Sequence, residues 1–246
     1  MQGKVILITG GAKRVGAAIC RKLHRYGANL VIHYRASLAA AQALQAELNQ
    51  KRPDSVVLVQ ADLLDTRLLP DLIDKAAARF GRLDVLINNA SSFFPTPLGE
   101  CTLETWDDLI GSNLQAPLFL SQAAAPYLRQ QRGCIVNIVD IHADRPLKNY
   151  VIYSAAKGGL ASLTRSLALE LAPEVRVNGV SPGPILWPED GELTNEAARQ
   201  AIIEATLLKR TGEPEDIART VRFLIAEAPY ITGQIIAVDG GRSINL

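Results

Sequence analysis

Seven short runs of β-branched and other apolar residues recur along the chain: KVILIT (4–9), NLVIHY (29–34), SVVLVQ (55–60), DVLINN (84–89), CIVNIV (134–139), VRVNGV (175–180) and QIIAVD (234–239). Each has the length of a buried strand. Between them lie Ala- and Leu-rich stretches of helical period, such as AAAQALQAELNQK after the second run and RLLPDLIDKAAARFG after the third. Alternation of this kind predicts a parallel sheet joined by right-handed crossovers. The expected fold class is α/β: a doubly wound parallel sheet of about seven strands with helices on both faces. With 246 residues, 48% of them hydrophobic, the chain can fill one large core. No linker, low-complexity tract or fixed-period repeat divides it, so a single domain over 1–246 is expected.

Charge and thiols narrow the function. Lys and Arg total 26 against 25 acidic residues, a net charge of +1 that creates no broad field for nucleic acid or an anionic membrane. The apolar part of MQGKVILITGG is too short for a signal segment or a membrane span. A soluble, cytoplasmic protein without nucleic-acid or membrane partners is the expectation. Cys20, Cys101 and Cys134 are scattered and odd in number, which argues against a disulfide framework and predicts three buried small hydrophobes. His24, His33 and His142 have no ligand spacing, and no metal site is expected.

TGGAKRVGAAIC follows the first strand run: Gly10, Gly11 and Gly16 form a turn, then a helix begins. Glycines let a backbone approach a pyrophosphate, and a helix N-terminus offers free N–H groups and a positive dipole end. Arg14 stands where a glycine could be expected; it is either a solvated helix-start residue or a guanidinium facing phosphates or an electron-rich substrate. The second strand ends HYRAS, with Arg35 and Ser37 but no carboxylate for a ribose 2′-hydroxyl. Lys13 and Arg14 lie on the adjacent turn. A 2′-phosphate would meet cations there, so NADPH is favoured over NADH. Asp62, after the third run, could accept from an adenine amino group or simply cap a helix.

Tyr153 and Lys157 stand at i and i+4 of a helical stretch, so both project from one face. The ammonium is expected to lower the Tyr153 pKa toward neutrality and make it a usable general acid. Asp140 stands thirteen residues before the Tyr. The segment 181–200, SPGPILWPEDGELTNEAARQ, is expected to be a substrate-covering loop.

With TGxxxRxG, NNAS (88–91), Asn113, YSAAK (153–157) and NGVSPG (178–183) in order, the whole chain resembles the short-chain dehydrogenase/reductase family. The resemblance implies a Rossmann-type single domain, nicotinamide hydride transfer, Tyr153 as proton donor and Lys157 on the nicotinamide ribose. It implies that Asn113 helps hold a relay water and that subunits form a homotetramer. The cofactor set it implies is Gly10, Lys13, Arg14, Val15, Gly16, Tyr34, Arg35, Ser37, Asp62, Asn89, Ala90, Ser91, Tyr153, Lys157, Pro182 and Gly183. Most of that family has a Ser where this chain has Asp140, and the exchange, with HYRAS and NNASSFFPTPL (88–98), resembles its pteridine reductases. That likeness implies a pterin or folate substrate held by Arg14, Ser91, Phe93, Asp140 and Tyr153. Phe93 would stack the ring, although FFP before a turn also reads as core; Trp187 would close over the pterin tail.

An ionised Asp140 cannot donate to a developing alkoxide, so ketone reduction is disfavoured and reduction of C=N is preferred. The alternatives are a ketone reductase of oxoacyl thioesters or sugars, a family member whose Asp140 is only structural, and a non-catalytic NADPH sensor.

Overall fold

The structure, a computed structural model, describes residues 1–187 and 195–245. Strands β1 (Val5–Ile8), β2 (Asn29–Tyr34), β3 (Val56–Gln60), β4 (Val85–Asn88), β5 (Cys134–Ile138), β6 (Arg176–Pro182) and β7 (Ile235–Val238) form one parallel sheet ordered β3-β2-β1-β4-β5-β6-β7. Six of the seven apolar runs contain a whole strand, and β6 continues two residues past VRVNGV, to Pro182. β1, β4 and β5 are buried at every position, whereas the edge strands β3 and β7 are only partly buried. A parallel strand covered on both faces needs apolar residues throughout, which is why the central runs are unbroken.

Helices α1 (Arg14–Arg25), α2 (Leu38–Lys51) and α8 (Pro214–Ala226) cover one face, and α3 (Leu69–Phe80), α5 (Ala116–Gln131) and α6 (Val151–Leu171) cover the other. β1 shows the division. Ile6 and Ile8 join Ile19 and Leu23 of α1 and Val221 and Leu224 of α8, while Val5 and Leu7 join Ile73 of α3, Leu120 of α5 and Leu167 of α6. Each such side chain contributes about 1.5–3 kcal/mol on burial. Gly81, in the left-handed region at φ 71°, ends α3 as a C-cap. A capping box of Thr102 and Thr105 starts α4 (Leu103–Ile110).

The strand order turns back at β1, whose neighbours are β2 and β4, so a crevice opens beyond their carboxyl ends. The Thr9 hydroxyl ties the two sides together there. It accepts from the N–H groups of Asn89 (2.9 Å) and Ala90 (3.0 Å). A buried polar chain then fixes α6 against the sheet: Asn88 donates to Asn137 at 2.8 Å, and Asn137 donates to Thr164 of α6 at 2.9 Å. Among the described residues no helix is long and apolar enough to cross a membrane.

Two thiols are buried as the sequence leads one to expect, but Cys101 is exposed. It lies just before α4, with its Sγ 3.7 Å and 3.6 Å from the carbonyls of Thr96 and Pro97. Composition carries no information on which thiol lies on a surface turn.

Candidate active site

The turn between β1 and α1 is folded too tightly for side chains at its glycines. A Cβ on Gly10, whose φ is +59°, would stand 2.9 Å from the Ala90 Cα, and one on Gly16 would overlap the Gly10 carbonyl oxygen. Asn89 holds the turn from β4, donating to the carbonyls of Thr9 (2.9 Å) and Gly10 (3.1 Å). His33 of β2 holds it from the other side. Its Nδ1 accepts from the Gly10 N–H at 3.2 Å, so the ring proton sits on Nε2, 3.1 Å from the Ala61 carbonyl. α1 begins without a side-chain cap or an acidic residue in its first turn, and Arg14 adopts a left-handed φ of 52°. That backbone favours glycine, and an Arg held there signals a functional constraint. Its guanidinium donates to the carbonyls of Leu186 (3.3 Å) and Trp187 (3.0 Å), crossing from the glycine turn to the segment after β6.

At the end of β2, Ser37 occupies the N-cap of α2 without using its hydroxyl as a cap, and Arg35 is exposed beside it. An uncapped helix start, a serine hydroxyl that caps no helix and neighbouring cations fit the diphosphate and 2′-phosphate of a dinucleotide. Asp62 shows the capping role of the two that the sequence leaves open. One of its oxygens accepts from the Leu64 N–H at 3.1 Å, as a turn cap, and the residue also faces the crevice.

Asp140 follows β5 and caps a short 3-10 turn, Ile141–Ala143, so both of its oxygens are occupied as acceptors. Oδ1 takes the His142 N–H at 2.9 Å, and Oδ2 takes the Tyr153 hydroxyl at 2.8 Å. Lys157, 2% exposed, donates to the Ile138 carbonyl at 2.9 Å, and its Nζ lies 5.7 Å from the Tyr153 ring centroid. The expectation that Lys157 lowers the Tyr153 pKa is corrected here. Burial and then the Asp140 charge hold the phenol well above its ordinary range, outweighing an opposing hydrogen bond from Ser91. Burial brings Lys157 down to about 8, although the Asp140 carboxylate opposes the change. The spacing alone shows the ammonium; it shows neither the depth of the pocket nor the closer carboxylate.

Asn113 lies in a π-helical turn, Gly111–Gln115, between α4 and α5. Such turns often mark functional sites. It is fully buried and bonded to the 91–92 segment: its Nδ2 donates to the Ser92 carbonyl at 3.0 Å, and its Oδ1 accepts from the Ser91 hydroxyl at 2.7 Å. Phe93 stacks on Tyr150 (centroids 4.6 Å apart, planes 16° apart) and meets the Tyr153 ring edge-on at 4.8 Å. It is therefore both a packed residue and part of the crevice wall.

One cavity of about 860 Å³ joins these groups, a volume suited to a large organic ligand. Gly10, Lys13, Arg14, Val15, Gly16, Tyr34, Arg35, Ser37, Asp62, Asn89, Ala90, Ser91, Phe93, Asp140, Tyr153, Lys157, Pro182 and Gly183 all line it. Asn113 does not; it stands behind Ser91. Trp187 is not among the lining residues either. The ring lies 5.5 Å from the Arg199 guanidinium of α7 (Glu196–Ala205), and only its backbone carbonyl turns toward Arg14. Of the expected covering loop, 188–194 lie outside the described residues. Sequence reasoning passed over His33, His142, Ile202 and Arg242, which also line the cavity. Only the HYRAS context of His33 offered a signal.

Burial lowers the His33 pKa, while its hydrogen bond to the Ala61 carbonyl and the Asp62 charge oppose this in part. The stabilising contribution of the neutral ring is fully present above the ordinary imidazole value of about 6.5 and is lost as pH falls toward the depressed folded value. Wild-type protein is expected to lose more thermal stability between pH 7 and pH 5 than His33→Gln. Equal losses in parallel melting curves would remove His33 from this account.

The family model described as "Enoyl-(Acyl carrier protein) reductase" matches residues 10–243. Pteridine reductase 1 of Leishmania tarentolae is 40% identical, covering 98% of this chain and 96% of its own. A 3-oxoacyl-[acyl-carrier-protein] reductase of Staphylococcus aureus is 36% identical over 97% of both chains. An uncharacterized oxidoreductase of Methylorubrum extorquens is 34% identical over 98% of both. With these matches spanning nearly its whole length, and with a parallel sheet whose crevice gathers the Tyr153 and Lys157 pair beside a glycine turn, the chain belongs to the short-chain dehydrogenase/reductase family of oxidoreductases.

Proposed function

We propose that this protein is an NADPH-dependent pteridine reductase acting on C=N bonds of dihydropterins such as dihydrobiopterin, of dihydrofolate, and of oxidised pterins. The observation that carries this reading is the carboxylate of Asp140 at 2.8 Å from the Tyr153 hydroxyl. A carboxylate there cannot donate to a carbonyl oxygen that becomes alkoxide. Two like charges about 4 Å apart repel by roughly 4 kcal/mol at an effective dielectric of about 20, a rate cost near 10³. An imine makes the opposite demand, because its nitrogen becomes basic and must gain a proton.

Bound NADPH supplies the hydride, and the chain supplies everything else. Burial keeps Tyr153 protonated, so it can give that proton as Asp140 relays a replacement from water in the cavity and no lasting phenolate faces the carboxylate; Asp140 would also accept an N–H of the substrate ring, and Lys157 would hold the nicotinamide ribose. Phe93 offers a flat surface beside Tyr153, and Arg14 lines the same cavity. Lys13, Arg35 and Ser37 favour the 2′-phosphate of NADPH, since no carboxylate ends β2. Asn113 orients Ser91, and through it the Tyr153 side of the crevice. The 40% identity to a pteridine reductase supports the substrate class; a cytoplasmic homotetramer is part of the same proposal. The 36% identity to a 3-oxoacyl reductase favours ketone reduction as the second reading.

Steady-state oxidation of NADPH with dihydrobiopterin or dihydrofolate, run beside an acetoacetyl thioester and repeated with NADH, separates the two. Turnover of the pterins with NADPH is expected. Turnover of the thioester alone would overturn the proposal.

A further inference from the structure

The strand order places Arg242 far from the adenosine end of the crevice. Arg35 and Ser37 follow β2 on one flank of β1, whereas Arg242 follows β7 at the opposite edge of the sheet. It cannot serve the 2′-phosphate, yet it lines the same cavity. Its backbone is tightly set. Gly240 and Gly241 take left-handed φ values of 62° and 81°, and the Asp239 carboxylate accepts from the N–H groups of Gly241 (2.9 Å) and Ser243 (2.7 Å). The turn is docked on the end of α7. Leu208 N–H donates to the Gly240 carbonyl at 3.1 Å, and the Asn245 amide donates to the Ala205 carbonyl at 2.8 Å.

The cavity that Arg242 lines also has apolar lining from Ile185, Leu186 and Ile202. Arg242 is half-buried, and among the described residues no carboxylate or carbonyl holds its guanidinium. Asp239, the nearest acid in sequence, is spent on the turn's own N–H groups. A planar, half-buried cation lining the cavity, past the Asp140 strand as counted from the glycine turn, suits the carboxylate of a ligand's tail.

We propose that Arg242 is a specificity-determining residue that binds the anionic tail of the substrate, so that the site prefers pterins bearing carboxylates over pterins with a neutral hydroxylated tail. This rests on the pterin reading above. The test compares KM and kcat for dihydrofolate and dihydrobiopterin, at saturating NADPH, in the wild type, Arg242→Gln and Arg242→Lys. Losing one charge-assisted contact is expected to raise the ratio of the dihydrofolate KM to the dihydrobiopterin KM about tenfold in Arg242→Gln. Arg242→Lys restores part of it. In the unaltered enzyme, added KCl is expected to raise the same ratio, which keeps the test independent of how the variants fold. A ratio unmoved by substitution and by salt overturns the role of Arg242 while leaving pterin reduction intact. Wild-type protein that reduces neither pterin overturns the proposed function, and this inference with it.

Discussion

Replacing Tyr153 with Phe is expected to lower kcat for pterin reduction by about 10²–10⁴, the usual contribution of a positioned general acid. Only the hydroxyl is lost. The ring keeps its edge contact with Phe93 and its place beneath the Lys157 ammonium, so NADPH binding is expected to survive and can be followed by fluorescence titration. A loss below tenfold in single-turnover NADPH oxidation would mean that another group delivers the proton. Because burial and Asp140 hold the phenol well above its ordinary range, Tyr153 should add no limb to the pH profile of kcat/KM at neutral pH. Lys157 is different. Its depressed pKa, about 8, means that its charge is lost as pH rises through that value, so kcat/KM should fall on the alkaline side.

Asp140→Ser is expected to cut kcat/KM for dihydrobiopterin by about 10²–10³ while leaving or raising that for an acetoacetyl thioester, because the repulsion removed is roughly 4 kcal/mol at 4 Å. The carboxylate now accepts from both Tyr153 and His142. A serine hydroxyl at this position instead offers a donor, which an alkoxide needs and a protonating nitrogen does not. The quantity to measure is the ratio of the two specificity constants in wild type and variant. If the ratio stays put, Asp140 is not what selects C=N over C=O. Asp140→Asn, nearly the same shape without the charge, separates charge from geometry in the same assay.

Much of this architecture can be read directly from residue order. The seven strands are plain because a strand buried on both faces must be apolar at nearly every position, and the glycines of 10–16 are plain because only they permit that turn. The i, i+4 relation of Tyr153 and Lys157 is local, so helical geometry places them together without knowledge of the rest. The gap between Asp140 and Tyr153 crosses a loop and a helix start, yet the crevice brings them to 2.8 Å.

Other features depend on burial and on contacts between distant segments, which local pattern does not encode. The direction of the Tyr153 pKa reverses because desolvation and a touching carboxylate outweigh a cation above the ring. His33 reads as an isolated imidazole until parallel pairing sets β2 beside β1 and brings its Nδ1 to the Gly10 N–H. Trp187 follows the sixth strand as a substrate-closing residue would, but its ring turns to Arg199. Arg242, four residues from the end of the chain, reaches the cavity because α7 and the Asp239 turn hold it there. Local periodicity and steric exclusion act within a few residues and leave their mark on the sequence; electrostatic environment and cavity shape are sums over segments that meet only when the sheet is complete.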